Sequence, residues 1–121
     1  MEDSKMHGWR ARIGLIIPSA NFNMEPDFYK MTPEGVTTHT SRMLLTETTA
    51  QSIVEMEKHA VRAAQELKTA AVEILVFGCT SGSFLKGVGH DREIIEALKM
   101  PHPFLPLPRQ RPSWRQCGCL K

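Results

Sequence analysis

The order of elements in this 121-residue chain predicts an α/β fold: an open parallel sheet with helices on both faces, incomplete at one side, followed by an irregular Pro-rich tail. Three observations carry that reading. Apolar runs stand at 12–18 and 71–78 with the near-continuous hydrophobicity of strands buried on both faces. Stretches with apolar residues at helical spacing lie between and after them, and alternation of the two patterns gives a parallel sheet covered by helices. Prolines at 101, 103, 106, 108 and 112 then end the alternation where a fourth strand is due.

The first strand is RIGLIIP (12–18), stopped by Pro18. In 19–31, small polar residues lead into a helix with Met24, Phe28 and Met31 at helical spacing, and Pro26 is tolerated in its first turn. TPEG (32–35) is a turn. The β-branched run 36–45, alternating through Val36, Thr38 and Thr40, is a second strand. One long helix is expected over 49–68, with Ile53, Met56, Ala60, Val61, Ala64 and Leu67 as its apolar stripe. Glu55, Glu57, Lys58, Arg62 and Glu66 face away from that stripe, and His59 lies on its solvated flank. AVEILVFG (71–78) is a central parallel strand, CTSGSF a turn, and 90–100 a last helix with Ile94, Ile95 and Leu98 inward. Asp91 and Glu93 sit in its first turn, where the helix dipole favours acids.

Length and composition fit one globular domain. Hydrophobic residues make up 41% and charged residues 23%, and no run reaches the roughly 18 apolar residues of a membrane span. The polar amino-terminal stretch MEDSKMHGWR lacks a leader's apolar core, so the expectation is a cytoplasmic protein with no membrane partner. The net charge of +2 arises in the tail. Residues 101–121 hold Arg109, Arg111, Arg115 and Lys121 and no acid, which leaves 11 basic against 13 acidic residues in 1–100. Four cations spread among prolines read as a solvated tail, so no nucleic-acid partner is expected. Three cysteines give no disulfide framework. Cys117 and Cys119 supply two of the four ligands a tetrahedral metal needs, so no metal is expected.

Chemistry concentrates where strands end, because ligands of open α/β sheets bind outside the carboxyl ends of the strands. PSANFN follows the first strand, with Pro18, Ser19 and Asn21; GCTSGS follows the third, with Cys79, Thr80 and Ser81. If those strands are neighbours, both loops face one pocket containing a thiol, hydroxyls, amides and backbone N–H groups. Such donors attract anions and lower a cysteine's pKa. The set suits a small carboxylate beside a sulfur able to attack or to move a proton. Each piece also has a plainer reading. A lone cysteine after a strand is usually a buried core residue. Ser-x-Asn is usually a turn or helix cap. GCTSGS lacks the lysine of a phosphate-binding loop. His39 reads as a satisfied sheet residue, and His90 as a cap or first-turn residue.

RIGLIIPSANFNMEPDF, then TPEG, a long helix and VEILVFGCTSGSF, resembles the aspartate/glutamate racemase superfamily, closest to its maleate cis-trans isomerase and arylmalonate decarboxylase branch. The resemblance spans about residues 10–100. It implies a flavodoxin-like half-domain over 1–100, the amino-terminal half of an enzyme whose second half closes the cleft, with 101–121 as a separate disordered tail. It also implies no cofactor and a small dicarboxylate substrate. Cys79 would be the nucleophile that adds to the double bond of maleate, with rotation and elimination giving fumarate. Pro18, Ser19 and Asn21 match the loop that holds a substrate carboxylate, and Thr80 and Ser81 the donors to a carboxylate or its enediolate. The missing second half, and the abrupt change to Pro and Arg, resemble a truncated or frame-altered product.

Other functions remain open on the sequence. A decarboxylase or an amino-acid racemase would use the same residues. A catalytically inactive remnant or binding half-domain would self-associate through the sheet edge that the missing strand leaves exposed. A redox-sensing thiol would need a resolving cysteine, and Cys117 and Cys119 lie only in the tail.

Overall fold

The computed structural model describes residues 6–99; expectations for the tail 101–121, with Cys117 and Cys119, lie outside them. Strands β1 (Ala11–Pro18), β2 (Val36–Met43) and β3 (Ile74–Phe77) form one parallel sheet in the order β2-β1-β3. The helices are α1 (Met24–Met31), α2 (Ala50–Glu57), α3 (Ala60–Thr69), α4 (Thr80–Phe84) and α5 (His90–Leu98). The α/β open sheet with helices is as the sequence predicts, with the centre moved. β1 is the middle strand, and its Leu15, Ile16 and Ile17 are wholly buried, each worth roughly 2 kcal/mol of apolar transfer. The third strand, expected central over 71–78, is a four-residue edge strand, half-buried throughout.

Period-two alternation divides β1 between two layers. Ile16 joins Met43, Ile53, Met56, Ala60, Ala63, Ala64, Leu67, Val72, Ile94 and Leu98 in the main core. Gly14 lies on the same face because nothing larger fits: a Cβ there would stand 2.8 Å from Leu75 Cδ2 and 2.9 Å from Val72 Cγ2. On the opposite face α1 packs over β2 without burying any of its own residues.

Two helix expectations need correction. The single helix over 49–68 is two helices, joined at Lys58 and His59. The N–H groups of these two residues donate to Glu55 O at 3.2 Å and Met56 O at 3.0 Å, which is the tighter i→i−3 pattern. Such a turn advances about 120° per residue instead of about 100°. The apolar stripe nonetheless keeps its phase across the joint: Ile53, Met56, Ala60, Ala63, Ala64 and Leu67 are buried, and only Val61 of the expected stripe is on the flank, 36% exposed. Glu57, expected outward, turns inward, its side chain 11% exposed. His59 is exposed, as expected. The second correction is α4, which forms where a turn was expected. Among the described residues no helix is long and apolar enough to cross a membrane.

Candidate active site

The parallel register places Ile16 beside Phe77, and Gly78 N–H donates to Ile16 O at 2.7 Å. The loops after β1 and β3 therefore leave the same end of the sheet side by side. Met24 closes the contact from above, since a Cβ on Gly78 would lie 2.6 Å from its Sδ.

Within the β1 loop the polar side chains serve the backbone. Pro18 is buried at the strand end. Ser19 Oγ accepts from Leu45 N–H at 2.9 Å and donates to Leu45 O at 3.3 Å, clamping the chain that leaves β2. Asn21 Oδ1 accepts from Asn23 N–H at 3.0 Å and Met24 N–H at 3.1 Å, which caps α1. The plainer sequence reading, turn and cap, thus describes what Ser19 and Asn21 do in the folded chain. Arg42, at the carboxyl end of β2, holds this loop from outside. Its Nη1 donates to Ser19 O at 3.0 Å and Asn21 O at 2.7 Å, and its Nη2 pairs with Glu25 Oε1 at 2.6 Å.

In the β3 loop, Cys79 is the N-cap of α4. Its extended backbone (φ −139°, ψ 99°) turns Sγ back over the first turn, where Gly82 N–H donates to it at 3.3 Å. Ser83 Oγ donates to Cys79 O at 2.9 Å and so faces its own helix. Thr80 and Ser81 are exposed beside the sulfur. Cys79 itself is 7% exposed and packs into the main core. Burial pushes its thiol pKa up; Gly82 N–H opposes this, the Glu57 carboxylate adds to it, and Ser81 N–H opposes it. The expectation that N–H donors lower this pKa is corrected: desolvation outweighs two hydrogen bonds to sulfur.

Behind Cys79 lies a pair that the sequence reading did not assemble. His90 Nε2 sits 3.0 Å from both Glu57 carboxylate oxygens, and Nδ1 sits 3.0 Å from Glu93 Oε2. His90 is the first residue of α5, as expected, but it is buried at 6% exposure. A partial sign existed for Glu57, because position i+4 from the core residue Ile53 shares its helix face. For Arg42 the sign was its place at a strand's carboxyl end. Among the described residues no group of His, Cys, Asp and Glu could hold a metal ion. The hollow lined by Tyr29, Pro33, Glu34, Thr37 and His39 lies at the other end of β2, away from these loops.

The chain is thus a parallel α/β unit that sets a cysteine-capped helix beside the loop of its central strand. The arylmalonate decarboxylase family matches residues 13–107, and the chain belongs to that family. The match reaches past residue 100, into the Pro-rich segment that the sequence reading sets apart from 101. Maleate isomerase of Pseudomonas putida is 33% identical over 95 residues, covering 73% of this chain and 38% of the relative. Maleate isomerase of Geobacillus stearothermophilus is 31% identical over 87 residues, covering 65% and 35%. In structure, a cysteine-to-alanine variant of the maleate isomerase Iso from Pseudomonas putida S16, crystallised with maleate, superposes with a TM-score of 0.65 at 30% identity, again over 73% of this chain and 38% of that one. The chain thus spans little more than a third of the length of these relatives.

Proposed function

We propose that residues 1–100 are the amino-terminal half-domain of a maleate cis-trans isomerase, contributing Cys79 as the nucleophile of a cofactor-free reaction, with 101–121 as a separate segment. The observation that carries the reading is the placement of Cys79 and the Ser19–Asn21 loop on adjacent parallel strand ends, in a chain 33% identical to a maleate isomerase. The thiolate of Cys79 adds to one alkene carbon of maleate, and the π electrons move into the distal carboxylate as an enediolate. The former double bond, now single, rotates. The enediolate electrons then re-form the alkene and expel the thiolate, giving fumarate with no net proton change. Thr80 and Ser81 offer hydroxyls and backbone N–H groups to the enediolate, where charge develops. Asn21 spends Oδ1 on α1 and presents its amide nitrogen to a carboxylate, on a loop fixed by Pro18 and Ser19.

A second reading has its own support. A half-domain that binds a small dicarboxylate without turnover fits the 38% coverage of the relatives and the burial of the sulfur. In either reading the outer edge of β3 is an open hydrogen-bonding edge in the described chain, suited to pairing with a second copy. The test is proton NMR of maleate incubated with the full chain, beside Cys79→Ala. Conversion by the chain and loss of conversion in the variant support the isomerase. Conversion that survives in Cys79→Ala rejects the nucleophile, and binding without conversion selects the second reading.

A further inference from the structure

The Glu57–His90 pair has no part in that reaction, yet it is built against the reacting sulfur. A Cβ placed on Gly82 would stand 3.3 Å from Cys79 Sγ and 3.3 Å from Glu57 Oε1, so sulfur and carboxylate face each other across one glycine, within about twice that distance. His90 meets carboxylates at both ring nitrogens. A neutral imidazole has a single N–H and can satisfy only one of them; two carboxylates at 3.0 Å call for the doubly protonated ring. The remaining groups facing this cluster are Lys86, between α4 and α5, and the N–H groups of Ser81 and Gly82 on α4.

We propose that Glu57 and His90 form a buried charge pair that governs ionisation of Cys79: the carboxylate opposes the thiolate, and the imidazolium permits it by neutralising the carboxylate. Both are positioning residues, acting on the sulfur through the field rather than by contact with substrate. The inference rests on Cys79 being the reacting sulfur. Its consequence is a matter of sign. Removing the charge of Glu57 frees the thiolate from a like charge and leaves the His90 cation nearby, so ionisation becomes easier. Removing the charge of His90 leaves Glu57 uncompensated, so ionisation becomes harder. The two sites titrate as a coupled set, and the Cys79 profile is shallower than that of a single proton.

The test is the alkylation rate of Cys79 by iodoacetamide in the full chain, in Glu57→Gln and in His90→Gln, followed by peptide mass mapping that separates Cys79 from Cys117 and Cys119. The profile of Glu57→Gln moves to lower pH and that of His90→Gln to higher pH, each by about half a unit, or roughly three-fold in rate well below the thiol pKa. Shifts in one common direction, as loosened packing would cause, or no shift in either variant, overturn the proposal. Circular dichroism checks that each variant folds. Should one not fold, the wild-type chain decides by NMR titration. The His90 ring then keeps its second proton to higher pH than an ordinary imidazole, and its deprotonation moves the Cys79 Cβ resonance. A ring that titrates at its ordinary value, or independently of Cys79, overturns the proposal. Alkylation needs no turnover, so a chain that alkylates as expected but converts no maleate fails the proposed function and leaves the charge pair standing.

Discussion

Arg42 is the side chain that ties the carboxyl ends of β1 and β2 into one surface, with three hydrogen bonds to the β1 loop and α1. Its side chain is 40% exposed, so water screens much of the Glu25 pair, and the two bonds to backbone carbonyls carry most of the effect. Arg42→Met is expected to cost about 1 kcal/mol in urea unfolding and to weaken maleate binding more than it weakens the fold, because the loop it frees is the one proposed to hold a carboxylate. Cys79→Ala removes a sulfur from the core together with the hydrogen bond it accepts from Gly82 N–H, and is expected to cost about 1 kcal/mol of stability by the same assay. The location of Cys79 was legible in the sequence, because an apolar run ending in Gly-Cys-Thr-Ser marks a strand end. Its burial was offered only as the plainer of two readings, and what decides for it, the packing of α2 and α5 around α4, comes from distant parts of the chain. Glu57 was misread because it stands at the edge of the α2 apolar stripe, four residues after Ile53, and the partner that turns it inward, His90, comes from α5, far along the chain.

At the scale of elements, the sequence located every strand and missed what happens at helix ends. The α2–α3 joint has no proline or glycine to announce it. Three of the five positions of α4 are glycine or serine, which disfavour a helix, and it is held by the Cys79 cap and the Ser83 hydrogen bond to Cys79 O. β3 begins late because α3 ends in a left-handed residue: Ala70 N–H donates to Leu67 O, Ala71 N–H to Lys68 O, and Ala71 has φ 55°. This is the position where glycine normally ends a helix, and a side chain there is strained. Ala71→Gly is expected to stabilise the chain by about 0.5–1 kcal/mol in thermal or urea unfolding. A loss of stability would show that the Ala71 methyl contributes more than its backbone costs. The far end of α5 is fixed by a cation, since Lys68 Nζ donates to Leu98 O at 2.6 Å, a favourable charge at a helix C-terminus.

For the whole molecule, two titrations of opposite sign set the pH range of greatest stability. The hydrogen bond to Glu93 raises the His90 pKa above 6.5, burial opposes that, and Glu57 reinforces it. A raised pKa stabilises the fold fully below about 6.5, and the contribution is lost as pH rises through the raised value. The Ser41 hydroxyl lowers the Glu66 pKa below 4.5, with Arg62 assisting, so its contribution is present above 4.5 and lost as pH falls through the lowered value. Melting temperature is therefore expected to peak between about 4.5 and 6.5 and to fall on the alkaline side, and His90→Gln should flatten that alkaline fall. Identical alkaline slopes in the two proteins would remove His90 from this account.

The central claim is that the adjoining ends of β1 and β3 form a half-cleft for a small dicarboxylate with Cys79 at its centre. It is tested most directly by two-dimensional amide NMR of the full chain with and without maleate. The account predicts dispersed resonances for the described residues, with maleate-dependent shifts confined to Ser19–Asn23 and Cys79–Gly82. A well-dispersed spectrum that maleate leaves unmoved, or moves only around the hollow near Tyr29 and His39, would contradict it.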